Sequence, residues 1–183
     1  MLARLVTHGA LLARHPRIHV IHEERTTGEL VTELADAKLT DDDRCARLRG
    51  LVPEIRERIE AGDFVILERF HLTFYALMPR WELVSAIDDE LAALGFASVL
   101  LDVPDARLRE RSFVRPELEA SAWSEGLVAW YGSEALALAA FARSQGHRRS
   151  AISSSKLSTA VVDTSGKDWD RIADAVVDIC VDG

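Results

Sequence analysis

The stretch that decides how this sequence is interpreted is Phe64-Val65-Ile66-Leu67-Glu68-Arg69. Its four consecutive apolar residues are typical of a short parallel strand that helices cover on both faces. Three similar apolar runs occupy residues 18–22, 98–103 and 160–163. Longer segments of helical period separate the runs. Alternating strands and helices predict an α/β domain with a mainly parallel sheet.

The helical segments are recognised by apolar residues at helical spacing and by capping residues at their ends. They are predicted at residues 1–15, 40–62, 80–95, 105–112, 126–145 and 169–181. Pro53 divides or kinks the second segment, because a proline inside a helix removes a backbone hydrogen bond. Residues 147–150 are predicted to form a loop after Gly146. We find no repeat or linker, so residues 1–183 are expected to form one domain.

Composition and charge narrow the functional classes. The formal net charge of −8 argues against broad binding to nucleic acid, since phosphate contacts along a strand require concentrated cations. No apolar run approaches the ~20 residues that cross a bilayer, and residues 1–12 lack the features of a signal peptide. We therefore expect a cytoplasmic protein that binds no membrane, with a homodimer left open. Cys45 and Cys180 fit no metal or redox spacing and are expected to be reduced.

Acidic residues stand where two of the apolar runs end, at Glu68 and at Asp102. Ligands of open parallel sheets bind beyond the carboxyl ends of the strands. A carboxylate there can accept the proton of an attacking hydroxyl or hold Mg²⁺ through water. An adjacent arginine such as Arg69 can bind a phosphate through two hydrogen bonds. For either carboxylate alone, a helix cap or a solvated charge is the alternative.

A cluster of arginines follows the third run directly, at Arg107, Arg109, Arg111 and Arg115. An arginine-bearing segment beside a phosphate site can neutralise the charge that builds on a transferring phosphoryl group. The alternative is a solvated helix whose arginines pair with Glu110 and other acidic neighbours. The position of the cluster after a strand end favours the functional interpretation.

Taken in order, these motifs resemble two related kinase families. Residues 68–73 (Glu-Arg-Phe-His-Leu-Thr) resemble the Asp-Arg-Tyr-x-x-Ser element of thymidylate kinases and the Glu-Arg-Ser element of deoxyribonucleoside kinases. Residues 101–111 resemble their Leu-Asp-Val strand and the start of their arginine-bearing lid, here a segment at about 107–126. Residues 21–28 are similar to the Arg-Glu-Pro-Gly-Gly-Thr element without its proline and one glycine, and residues 160–164 resemble the final strand. The resemblance spans essentially the whole chain.

The resemblance implies a P-loop NTPase-like three-layer sandwich that transfers phosphate from ATP, with Mg²⁺, to a small-molecule acceptor. Glu68 would be the catalytic base or a Mg²⁺-linked carboxylate, and Asp102 a second carboxylate that holds the metal through water. The phosphate-binding or charge-stabilising residues would be Arg69, Arg111 and Arg115. The acceptor-binding positions would be Arg25, Phe70, Thr73, Phe74, Tyr75 and Arg109. A place in the core is the alternative for any one of these aromatic residues, and Arg25 departs from the family pattern.

The sequence does not contain the element that defines these kinases, Gly-x-x-x-x-Gly-Lys-Ser/Thr after the first strand. Its one Gly-Lys pair, Gly166-Lys167, is followed by Asp168 and lacks the earlier glycine. Either the loop and its strand lie upstream of Met1, or this is a degenerate member that no longer transfers phosphate. The missing strand would be central, so its loss would leave backbone groups unpaired at about 1–3 kcal/mol each. That cost favours the first explanation.

The sequence thus predicts an ATP-dependent phosphotransferase-like protein that acts on a nucleoside, a nucleotide or a similar small acceptor. Without the loop, the chain as given is expected to be inactive. Two other functions compete with this prediction. One is a non-catalytic nucleotide-binding or protein-interaction domain, and the other is a different small-molecule kinase of the P-loop type.

Overall fold

The computed structural model describes residues 1–26, 40–114 and 120–182. Two short helices, α1 (Leu2–Val6) and α2 (Gly9–Arg14), lead into strand β1 (Ile18–Ile21) and a 3₁₀ turn (Glu23–Arg25). Helices α3 (Asp41–Arg49) and α4 (Val52–Glu60) precede β2 (Phe64–Leu67), and α5 (His71–Leu77) and α6 (Trp81–Ala93) precede β3 (Ala97–Asp102). After a second 3₁₀ turn (Asp105–Arg107) come α7 (Leu108–Phe113), α8 (Ala120–Tyr131), α9 (Glu134–Ser154), β4 (Ser158–Asp163) and α10 (Trp169–Asp182).

All four predicted strands are confirmed, with ends that differ by two residues at most. They pair in parallel, β1 with β2 and β3 with β4, so the α/β class is also confirmed. The pairs form two separate two-stranded sheets. Within the described ranges, no backbone ladder joins β2 to β3. The single parallel sheet that the sequence predicted is therefore present as two parallel halves.

The hydrophobic core of the first half reaches the residues that lead into β3 and β4. Its buried residues include Ile21 at the end of β1, Phe74 in α5 and Ile87 in α6. Leu157 belongs to the same cluster and Phe96 packs against it, and these residues directly precede β4 and β3. The two strand pairs are thus held together by side-chain packing and by helices, since no hydrogen-bonded ladder connects them.

The helices that precede β1 and β2 differ from the prediction in two ways. Residues 1–15 form two short helices because the chain leaves the helical conformation at Thr7 and His8. Residues 40–62 also form two, with Pro53 in the first turn of α4, where a missing N–H costs nothing. The predicted cap at Thr40 is confirmed. Its hydroxyl accepts the Asp43 N–H at 3.1 Å, and the Asp43 carboxylate accepts the Thr40 N–H at 2.9 Å.

The predicted loop at residues 147–150 is wrong, because α9 continues without interruption through Gly146 to Ser154. The break in the predicted 126–145 helix instead lies at Gly132, whose φ of +86° suits a glycine, and at the Ser133 cap. A glycine inside a helix costs about 1 kcal/mol. Side chains of α9 on either side of Gly146 offset that cost through the strand contacts described below.

Candidate functional site

The turn after β2 carries the first half of the candidate site. Thr26, only 1% exposed, places its hydroxyl 2.8 Å from the carbonyl oxygen of Glu68 and 2.7 Å from that of Arg69. Arg69 has a φ of +48°, in the left-handed region that residues other than glycine rarely adopt. The two carbonyl oxygens share the single hydrogen of the Thr26 hydroxyl, which supports the strained turn. Such strain concentrates at functional sites and turns.

The Glu68 side chain is half-buried, and solvent still reaches its carboxylate. Its Oε2 lies 3.4 Å from the backbone N–H of Glu23 and 3.5 Å from His22 Nδ1. Arg69 pairs through Nε with the Glu23 carboxylate at 3.0 Å. Glu68 is thus positioned by the residues that follow β1 without being enclosed by them. A carboxylate in this state can accept a proton from a bound hydroxyl group.

The end of β3 carries the second half, and there the carboxylate is tightly bound. Arg149 of α9 donates from Nε to Asp102 Oδ1 at 3.1 Å and from Nη2 to Oδ2 at 3.0 Å. Gln145, one turn earlier in α9, donates to Oδ1 at 3.1 Å and to the Val103 carbonyl at 3.0 Å. The hydrogen bond with Asp102 is the main cause of a raised Arg149 pKa. A metal ion or ligand at Asp102 would have to displace one of these donors.

Helix α9 contacts both halves, at α5 through His147 and at the end of β3 through Arg149. Arg149 contacts Asp102, while its neighbour Arg148 lies close enough to Arg69 for the two charges to interact. Burial chiefly, with the positive charge of Arg69 in addition, lowers the pKa of Arg148. We call the carboxyl ends of β2 and β3, with Glu68, Arg69, Asp102 and Arg148, the rim. The carboxyl-end rule predicts that Glu68 and Asp102 share this rim, and this stays a prediction because β2 and β3 belong to separate sheets.

The arginines of the lid-like segment have separate partners. Arg107 pairs with Glu110 at 2.8 Å, and Arg109 pairs with Glu134 at 2.6 Å. The guanidinium of Arg111 lies 4.7 Å from the centre of the Trp169 ring, a cation–π contact. Arg115 lies outside the described residues. That these arginines form one anion site together with Arg69 stays a prediction. The alternative interpretation, in which the arginines pair with acidic neighbours, holds for Arg107.

The predicted acceptor-binding residues are divided between surface and core. Arg25 donates two hydrogen bonds to Glu54 of α4, at 3.0 and 2.7 Å, and this contact is the main cause of a lowered Glu54 pKa. Phe70 and Phe74 are buried in the core, and Tyr75 packs edge-on against Trp81 with ring centres 5.6 Å apart. Thr73 is half-buried. Residues 27 and 28, the end of the predicted glycine-containing element, lie outside the described ranges.

The residues present do not by themselves fit Mg²⁺ and ATP. In the described part of the chain, no three His, Cys, Asp or Glu side chains come together as a metal site. Both oxygens of Asp102 accept hydrogen bonds from Arg149 and Gln145, and the sequence offers no Gly-Lys-Ser/Thr loop to hold an ATP phosphate. We therefore derive no catalytic step through either group. Separately, none of the described helices has the length and apolarity that a membrane span requires.

A buried polar network beside the rim was not predicted. Asp88 of α6 is fully buried and accepts hydrogen bonds from His71 Nε2 at 2.9 Å, Ser155 Oγ at 2.6 Å and the Lys156 N–H at 2.7 Å. Burial raises the Asp88 pKa, but these hydrogen bonds together hold it below its usual range. The partners are 17 to 68 residues apart, so sequence spacing gives no signal for them. The network joins α5, α6 and the chain that enters β4.

Comparisons with protein-family models, with curated proteins and with solved structures gave no match to this chain. The kinase interpretation therefore stays a prediction from the residues of the sequence.

Proposed function

We propose that this chain is a nucleoside- or nucleotide-kinase-type domain, a P-loop NTPase-like sandwich whose rim binds a small phosphorylated or hydroxylated acceptor. One observation carries the proposal. The described strands form two parallel pairs that are unjoined between β2 and β3, and the resemblance expects the first strand and its phosphate loop between these two strands. The proposed order is thus β1, β2, the missing strand, β3, β4.

The rim supplies acceptor chemistry in this proposal. Glu68 is open to solvent and is positioned by His22 and the Glu23 N–H, so it can orient an acceptor hydroxyl and take its proton. Arg69 follows it directly and can bind a phosphate of the acceptor. ATP and Mg²⁺, when bound by an enzyme of this type, would supply the phosphoryl group and its charge compensation.

A non-catalytic nucleotide-binding domain is the second candidate. The binding of Asp102 by Arg149 and Gln145 favours it, because a carboxylate with both oxygens engaged is poorly placed to hold a metal through water. Both candidates predict that the chain as given binds an acceptor. They differ in whether addition of a phosphate-loop strand would restore transfer.

Calorimetric titration with nucleosides and nucleoside monophosphates tests the proposal. We expect the wild-type chain to bind at least one of them, Glu68→Gln to weaken that binding, and Glu57→Gln to leave it unchanged. Glu57 is the matched control because it is an exposed glutamate on α4. We also expect no transfer of labelled phosphate from ATP by the chain as given. Absence of binding to every nucleoside and nucleotide tested would refute the proposal, and measurable transfer would refute the expected inactivity.

A further inference from the structure

Helix α8 exposes an apolar face to solvent. Its other side carries half-buried residues at helical spacing, Ser124, Leu127 and Tyr131, and the Tyr131 ring lies edge-on to Phe141 of α9 with ring centres 5.6 Å apart. The exposed face has no charged side chain. It consists of five exposed residues that we call the α8 stripe: Ala122, Trp123, Gly126, Ala129 and Trp130. Since a helix turns by about 100° per residue, these five lie within an arc of about 120°.

The α8 stripe is large enough for a protein contact. Trp130 is 81% exposed, so about 200 Å² of a side chain of up to about 250 Å² is in contact with water. Trp123 is 40% exposed and adds about 100 Å². With its three small residues, the stripe approaches the area of about 500 Å² per copy that the smallest specific interfaces bury. An apolar helix face of this kind is normally covered by another element.

The order of large and small residues makes the α8 stripe complementary to itself. If two copies of α8 pack antiparallel about a two-fold axis through Gly126, Trp130 of each copy faces Ala122 of the other. In the same arrangement, Trp123 faces Ala129. Each indole ring then has a small side chain opposite it, which is how two helix faces interdigitate. The two glycines meet on the axis, where the lack of a side chain lets the backbones approach closely.

The polar groups near the stripe are compatible with its burial between two copies. Trp123 Nε1 donates to the Ser112 carbonyl at 2.7 Å, so covering the Trp123 ring does not require its N–H to lose a partner. The single charged residue of α8, Glu125, lies outside the stripe. Contact between two stripes therefore buries no charge, and it avoids the desolvation cost that a buried ion carries.

We propose that this chain forms a homodimer in solution through the α8 stripe, with the two copies of α8 antiparallel about Gly126. The inference is independent of the proposed function, because it involves neither the strand ends nor a ligand. A second copy fits the stripe better than a membrane surface does, since α8 has no Lys or Arg to attract anionic lipid headgroups. The net charge of −8 on each copy opposes association at long range, and salt screens that repulsion.

Sedimentation velocity at increasing protein concentration tests the dimer. We expect the wild-type chain to pass from monomer to dimer in the micromolar range, with more dimer at higher salt concentration. Trp130→Ala should raise the dissociation constant about a hundredfold, because each dimer loses two buried tryptophans and interface tryptophans are frequent hot spots. Val128→Ala is the matched control and should leave the dissociation constant unchanged, since Val128 is exposed on the opposite side of α8.

A mixture of two variants tests the antiparallel register. Ala122→Trp alone should dimerise poorly, because two tryptophans would then meet, and Trp130→Ala alone leaves a gap at the same place. Mixed in equal amounts, the two variants should form a heterodimer close to the wild-type dimer in affinity. In that heterodimer, each tryptophan at position 122 or 130 of one copy faces an alanine of the other. Both positions are exposed in a single copy, so urea unfolding of the dilute variants should match the wild type.

Three results would overturn the inference. The first is a wild-type chain that stays monomeric up to about 1 mM. The second is a dimer whose dissociation constant is the same for Trp130→Ala and the wild type, because such a dimer uses another surface. The third is an equal mixture of Ala122→Trp and Trp130→Ala that associates no better than either variant alone, which would exclude the two-fold axis at Gly126.

Discussion

Replacing Asp88 by alanine should destabilise the protein more than any other single change in its buried polar network. The carboxylate accepts from His71 Nε2, Ser155 Oγ and the Lys156 N–H. The Ser155 hydroxyl can rotate to another acceptor, but the His71 and Lys156 donors would be left buried without a partner. An unsatisfied buried donor costs about 1–3 kcal/mol, and Asp88→Ala leaves two such donors. We therefore expect Asp88→Ala to lower the free energy of unfolding by about 2–6 kcal/mol.

Urea unfolding followed by tryptophan fluorescence measures this loss, and Asp89→Ala is its matched control. Asp89 is the next residue of α6, and its half-exposed carboxylate pairs with Lys156 Nζ at 2.7 Å. A surface pair of this kind contributes at most about 1 kcal/mol. The reasoning is refuted if the two variants lose equal stability while keeping the wild-type dependence of unfolding free energy on urea concentration.

Three further predictions follow from the described contacts. The stability advantage of the wild type over Asp88→Asn should be constant above about pH 5 and shrink as the pH falls below about 4, because the folded-state pKa of Asp88 lies below its unfolded value of about 3.9. Urea midpoints from pH 3 to pH 7 measure this change, and a difference that grows towards low pH would contradict it. Thr40→Ala should cost about 1 kcal/mol through loss of the α3 cap, whereas Thr159→Ala, an exposed threonine of β4, should cost less. Gly146→Ala should stabilise the protein by about 0.4–1 kcal/mol, because the position is helical with open space at the added Cβ. Gly95→Ala should destabilise it by about 1 kcal/mol, since the Gly95 φ of +79° disfavours any side chain, and thermal midpoints that change in the same direction for both variants would contradict this pair of predictions.

The strands could be predicted because each is a short, nearly continuous apolar run, and that signal depends only on local sequence. The pairing of the strands could not be predicted in the same way. Whether β2 joins β3 depends on backbone contacts between residues about 30 positions apart, and the apolar pattern is the same for one sheet or two. The α/β class can thus be predicted from the sequence, whereas the division into two sheets is visible only in the folded structure.

That Glu68 and Asp102 share a rim is a prediction from the carboxyl-end rule, and it stays one because the strands that they end belong to separate sheets. The partners of these carboxylates were not predictable. Gly146 followed by polar residues indicated a helix end, so Arg148 and Arg149 were placed in a loop. In the folded chain, Gln145 and Arg149 lie one turn apart and both bind Asp102. These tertiary contacts outweigh the local preference of glycine, which a window of sequence cannot show.

Helix α9 has a consequence for any ligand of the rim. No described ladder connects β2 to β3, so the separation of Glu68 from Asp102 depends on contacts between side chains and helices. Helix α9 provides two of them at residues two positions apart, from His147 to α5 and from Arg149 to the end of β3. A ligand of the rim would therefore meet strand ends whose spacing is set by helix and side-chain contacts, since no ladder joins β2 to β3. Arg149→Gln should accordingly raise amide hydrogen exchange at the end of β3, because it removes the hydrogen bonds to Asp102, and unchanged exchange there would show that this contact does not hold the strand end.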